Sequence, residues 1–97
     1  IINVRLVSNS IIDWNRSINL YPSPNNGNFT LDIKLEKSFL VNISIIDPLG
    51  KIIENRNSET FQEKITSFDL ANKASGLYFL KIQIKDEYYV LKFNIQH

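Results

Sequence analysis

Between Gly76 and Gln96 the chain alternates apolar and polar residues twice over, and that pattern leaves few folds open. The first run is Gly76-Leu77-Tyr78-Phe79-Leu80-Lys81-Ile82-Gln83-Ile84 and the second is Tyr88-Tyr89-Val90-Leu91-Lys92-Phe93-Asn94-Ile95-Gln96. Lys85-Asp86-Glu87 separates them. Two runs rich in β-branched and aromatic residues, parted by a short polar break, are the sequence form of a β-hairpin. Successive strand side chains point to opposite faces. Tyr78, Leu80, Ile82 and Ile84 therefore share one face, with Lys81 and Gln83 opposite. Tyr89, Leu91, Phe93 and Ile95 do the same in the second run, with Lys92, Asn94 and Gln96 opposite. Each run offers one face to a core and one to water.

The alternation recurs upstream. Gly27 to Leu35 places Phe29, Leu31, Ile33 and Leu35 inward, and Thr30, Asp32 and Lys34 outward. Glu36-Lys37-Ser38 reads as a polar turn, after which Val41, Ile43 and Ile45 share a face in the run Leu40 to Asp47. Asp47-Pro48-Leu49-Gly50 places Asp, Pro and Gly as a type I turn wants them, and Lys51 to Glu54 reads as the return strand. Asn55 to Glu63 is polar apart from Phe61 and reads as a loop. Ile65, Phe68 and Leu70 mark a further extended segment. Near the start, Ile1 to Ser8 alternates as a strand and Ile11 to Trp14 forms a short apolar patch, in which Trp14 reads as a partly buried plug. Pro22 and Pro24 stiffen the backbone into an extended entry, and Asn25-Asn26-Gly27 supplies a turn. About seven strands with regular turn signals make an all-β, immunoglobulin-like antiparallel sandwich, with a barrel as the alternative. Tyr78, following Leu70 and Gly76, has the layout of a tyrosine corner. Its hydroxyl then needs a backbone partner, because a buried unpaired hydroxyl costs about 1–3 kcal/mol.

Composition excludes several classes of function. The 97 residues suffice for one domain. A net charge of +1 with no basic stripe argues against nucleic acid, and no apolar run approaches the ~20 residues of a membrane-spanning helix. There is no cysteine, hence no disulfide framework. There is no methionine, so Ile1 reads as a point within a longer or processed polypeptide. The only histidine is His97, no serine sits in a Gly-x-Ser-x-Gly elbow, and Asp86-Glu87 and Glu59 with Glu63 read as solvated surface acids. No Asp-rich or Gly-rich loop suggests calcium or phosphate. The expectation is a non-enzymatic domain with no catalytic residues, cofactor or metal.

Four segments together resemble the type A C-terminal sorting domains of the type IX secretion system, also called the Por secretion system. The first is Asn19-Leu20-Tyr21-Pro22-Ser23-Pro24-Asn25-Asn26-Gly27-Asn28-Phe29, and the second is Ile46-Asp47-Pro48-Leu49-Gly50-Lys51. The third runs from Leu70-Ala71 through Ala74-Ser75-Gly76-Leu77-Tyr78-Phe79-Leu80-Lys81-Ile82, and the last is Lys92-Phe93-Asn94-Ile95-Gln96. Ser23, where the family usually has asparagine, and Pro48, inside the aspartate-glycine turn, depart from its pattern. The resemblance implies an immunoglobulin-like domain over residues 18–97 that directs a cargo across the outer membrane of a Gram-negative bacterium. Residues 1–17 would be a linker or the end of the preceding cargo region, with a first strand as the other reading. The implied partners are the secretion machinery, a surface sortase that removes the domain, and the N-terminal cargo. The domain would act as a monomer, in the periplasm in transit and then at the cell surface or outside it. Tyr21, Pro22, Pro24, Gly27, Asp47, Gly50, Gly76 and Tyr78 would be its structural motif, and Lys92, Phe93, Asn94, Ile95 and Gln96 its recognition residues. The alternative is an adhesion or carbohydrate-binding sandwich using Trp14, Phe61 and Tyr88.

Overall fold

The closing runs pair as their alternation requires. In the computed structural model, which describes residues 3–7, 10–12 and 16–97, the seven strands are β1 (Asn3–Val7), β2 (Ser10–Ile12), β3 (Ser17–Tyr21), β4 (Asn28–Ile46), β5 (Ile52–Asp69), β6 (Gly76–Ile84) and β7 (Glu87–Ile95). Strands β6 and β7 are antiparallel, with Tyr78 opposite Phe93, Leu80 opposite Leu91, and Ile82 opposite Tyr89. Glu87 already pairs with Ile84, so only Lys85 and Asp86 form the loop. Lys85 takes a φ of 55°, the left-handed geometry that tight hairpin loops favour. None of the inward residues of either strand is more than 3% exposed.

Strand β4 joins the two layers of the fold. Its first half pairs with β3, from Thr30 opposite Tyr21 to Lys34 opposite Ser17. Its second half pairs with β6, from Val41 opposite Ile84 to Ile46 opposite Phe79. Strand β5 follows β4 on its other side along nearly the whole length, with a register shift between Lys34 and Phe39. The strand order is β1-β7-β6-β4-β3-β2, with β5 branching from β4, so β1 and β2 are the two ends of the path. Across the interior, Phe29 of the first half of β4 meets Phe93 of β7 at 4.7 Å between ring centroids and stacks on Phe68 of β5 at 5.0 Å. This is the all-β sandwich that the alternation implied, antiparallel except where β1 joins β7. Trp14, assigned above to plug one end, lies outside the described residues.

Two expectations are corrected. Glu36-Lys37-Ser38 is not a turn: β4 runs through it without a break, its outward residues exposed between buried Leu35 and Phe39. The segment holds no glycine or proline to break a strand, and the register shift absorbs the change of direction. Asn55 to Glu63 is not a loop but the middle of β5. Among the described residues strand β5 pairs with β4 alone, so it is an edge strand there. Its side chains in this stretch are mostly exposed on both faces, which removes the apolar alternation by which a strand is read.

Arg56 fastens this edge. Its guanidinium lies 3.7 Å from the centroid of the Phe68 ring, and it donates to Glu54, to the Thr66 hydroxyl and to the Ser67 carbonyl. It thereby ties the beginning of β5 to its end.

Tyr78 is the corner its position implied. The ring is buried, and its hydroxyl donates to the Ala74 carbonyl at 2.8 Å. Tyr78→Phe keeps the ring against Phe93 and loses this bond, so it should lower stability by about 1 kcal/mol. In a urea titration the midpoint should fall while the slope is unchanged. An unchanged midpoint would show that the bond contributes nothing.

Candidate functional site

The end of β7 is built so that every second residue is anchored. Phe93 and Ile95 are buried, opposite Tyr78 and Gly76 of β6. Lys92, Asn94 and Gln96 are exposed between and beyond them. The structure thus divides the five recognition candidates: three present side chains outward, and two hold the strand to the core.

The opposite edge of the strand end is also taken. Asn25 forms a parallel bridge to Ile95. Its backbone N–H donates to the Asn94 carbonyl at 3.1 Å, and its carbonyl accepts the Gln96 N–H at 2.8 Å. The Asn25 side chain shapes the loop that carries it: Nδ2 donates to the Pro22 carbonyl at 3.1 Å, and Oδ1 accepts the Gly27 N–H at 2.9 Å. Gly27 has a φ of 105°, and its carbonyl accepts the Leu70 N–H at 2.7 Å. A Cβ at this position would stand 2.5 Å from the Leu70 oxygen. Beyond the strand, the His97 N–H donates to the Ser75 hydroxyl at 3.1 Å, and His97 Nε2 lies 2.6 Å from the Lys73 carbonyl oxygen.

The Asp47–Gly50 turn reaches the same place. The Gly50 N–H donates to the Asp47 carbonyl at 3.0 Å, and Asp47 Oδ1 accepts the N–H groups of Leu49 and Lys51. Gly50 has a φ of 87° with open space around it. The Pro48 ring packs 3.1 Å from where a side chain on Gly76 would begin. Contacts therefore run from Pro48 to Gly76, from Gly76 to Ile95, and from Ile95 to Asn25. Segments far apart in sequence converge on the last residues of β7, at one end of the sandwich.

A second polar cluster, marked by no motif, sits where β3 begins. Arg16 holds both carboxylate oxygens of Glu36, at 2.9 and 3.1 Å, and donates to the Tyr89 hydroxyl at 2.8 Å. That hydroxyl donates in turn to Glu87. The guanidinium lies 5.1 Å from the centroid of the Phe39 ring and 5.9 Å from that of Tyr89. The bond to Glu36 holds the guanidinium proton more tightly than usual, and the same bond puts Glu36 below the ordinary carboxylate range. Burial, reinforced by the bond to Glu87, pushes the Tyr89 hydroxyl up. The stabilisation from Glu36 is present above the usual carboxylate pKa and is lost as pH falls through its lowered value. Every charged group in the cluster is engaged within the domain, so it fastens the start of β3 to β4 and β7.

Of the aromatic residues offered for an adhesion surface, Phe61 packs against the core and the Tyr88 ring lies under the Lys81 ammonium at 4.3 Å. They belong to β5 and β7, with β4 and β6 between. The structure does not assemble them into a platform. Among the described residues, no three His, Asp or Glu side chains group to hold a metal.

The comparison with family models bears on the converging segments directly. Residues 19–96 match the secretion system C-terminal sorting domain. The chain belongs to this family. None of the curated proteins matches it. The sorting domain is the C-terminal signal of type IX secretion, carried behind an N-terminal cargo and engaged by the secretion machinery. It sends that cargo to the cell surface or into the medium of Gram-negative bacteria. The match runs from within β3 to the end of β7 and takes in the residues from Tyr21 to Tyr78 named above together with Lys92 to Gln96.

Proposed function

We propose that the sorting domain is read as a folded, monomeric object at the outward side chains Lys92, Asn94 and Gln96, and that it performs no chemistry itself. In this reading the cargo passes through the periplasm with the domain attached, and a surface sortase removes the domain after export. The observation that carries the proposal is the division of labour along β7. Phe93 and Ile95 lock the strand end to the core, so its three exposed neighbours stand in a fixed row. Recognition through a fixed array avoids the ordering cost that a flexible tail would meet on binding, about 1–2 kcal/mol per residue of backbone.

The test is a reporter fused ahead of the whole 97-residue chain and expressed in a secretion-competent host. The unaltered fusion should reach the surface or the medium with the domain removed. A triple variant, Lys92→Ala with Asn94→Ala and Gln96→Ala, should stay in the periplasm with the melting temperature of its domain nearly unchanged. Retention of the unaltered fusion would sink the export reading for this chain. Normal export of the triple variant would show that the reading surface lies elsewhere.

A further inference from the structure

We infer that the Pro22–Gly27 loop, acting through Asn25, is the positioning element of the export signal: it holds Asn94 to Gln96 in one register, so that the machinery meets a preformed strand end. The inference rests on the export reading above and adds to it a second segment, remote in sequence, on which the signal depends.

Terminal residues of a domain are ordinarily poorly ordered unless something ties them down. Here the tie is two-sided. Strand β6 holds one edge of β7 up to Ile95, and Asn25 holds the other edge with bonds on either side of that residue. Among the described residues Asn25 is one of two buried polar side chains, at 7% exposure, the other being Ser44. Both functional groups of its side chain are spent inside the loop, on the Pro22 carbonyl and the Gly27 N–H. That leaves its backbone N–H and carbonyl directed at the tail. A side chain that builds the loop and a backbone that grips the strand are complementary parts of one clamp.

The clamp is itself fixed. Leu70 bonds to the Gly27 carbonyl, and the space beside Gly27 is too small for a side chain. A rigid loop bonded on both sides of Ile95 permits one register only, because a slip by one residue would turn Ile95 outward and Gln96 into the core. The side chains that face the machinery are therefore selected by a loop that need not touch the machinery at all.

Three variants of the reporter fusion test this, each read both by export and by amide exchange on the purified protein. Asn25→Ala removes the bonds that shape the loop. Gln96→Pro deletes the N–H donated to Asn25 and leaves the loop untouched. Gln96→Ala removes the same side chain but keeps that N–H. In Asn25→Ala the Gln96 amide should exchange about fivefold faster or more, the equivalent of losing roughly one hydrogen bond, while Leu80 and Leu91 keep their protection. Export of Asn25→Ala and Gln96→Pro should fall severalfold, and Gln96→Ala should lose clearly less. Normal export of Asn25→Ala with a loosened tail would overturn the inference, as would an unchanged Gln96 amide in that variant. Equal losses in the two Gln96 variants would also overturn it, since the side chain and not the register would then be what matters. Should Asn25→Ala fail to fold, the comparison at exposed Gln96 decides alone. Failure of the unaltered fusion to export is distinguishable from all of these: it removes the export reading, while amide exchange still shows whether the loop holds the tail.

Discussion

Leu80→Ala should lower the stability of the domain by about 2–5 kcal/mol, and Ile82→Ala should do the same. Both side chains are fully buried on β6, between β4 and β7. Leu80 lies between Ile45 of β4 and Leu91 of β7, and Ile82 lies between Ile43 and Tyr89. Truncation removes apolar surface and leaves a cavity, because neighbours held in paired strands on both sides have little freedom to close in. Domains of this size hold only about 5–15 kcal/mol in all, so either variant forfeits a large share. At about 4–8 °C per kcal/mol, the melting temperature should drop by roughly 10 °C or more, and a shift of only about a degree or two would contradict the burial.

Gly27→Ala should be comparably damaging for a different reason. A non-glycine residue held at a φ of 105° pays about 1–3 kcal/mol in backbone strain. The added methyl would also stand 2.5 Å from the Leu70 oxygen and 2.7 Å from Ala71 Cα, backbone atoms that cannot swing aside as a side chain would. Gly50 isolates the two effects: its φ of 87° brings strain, but nothing lies near its missing side chain. Gly50→Ala should therefore cost the strain alone, and Gly27→Ala that much plus about 1 kcal/mol or more from the displaced Leu70–Gly27 bond. Denaturant midpoints measured side by side check this. Equal shifts would mean that the segment around Leu70 yields at no cost.

How much of this could be read from the chain depended on whether a residue's environment repeats along the sequence. The closing hairpin was legible because one face of β6 and one face of β7 are wholly buried, so the alternation is clean. The Asp47–Gly50 turn and the Tyr78 corner were legible because each is a local arrangement with its own residue types. The middle of β5 was not, since Glu59, Thr60 and Gln62 on an edge strand leave no period to detect. Charged residues on such an edge discourage pairing with other chains, and the same charges made it resemble a loop. The site itself was half legible. Lys92 to Gln96 could be singled out by resemblance, and Asn25 and Gly27 stood in a recognisable turn. That the turn grips the tail could not be read, because the grip uses backbone atoms and leaves no mark on residue type. The Arg16 cluster escaped for another reason: its partners, Glu36 and Tyr89, are remote in sequence and each is unexceptional alone.

Strand β4 belongs to both layers, and that bears on what a signal of this kind can report. A sandwich assembled from separate short strands can lose one sheet while the other lingers. Here peeling the first half of β4 from β3 loosens the strand on which β6 and the Lys92–Gln96 row depend. Folding should accordingly be all-or-none, as it is for most small domains. A half-formed domain would not display half a signal; it would display none. Under the proposed reading of Lys92–Gln96, admission to export would double as an inspection of the domain's own structure, carried out without any separate inspector.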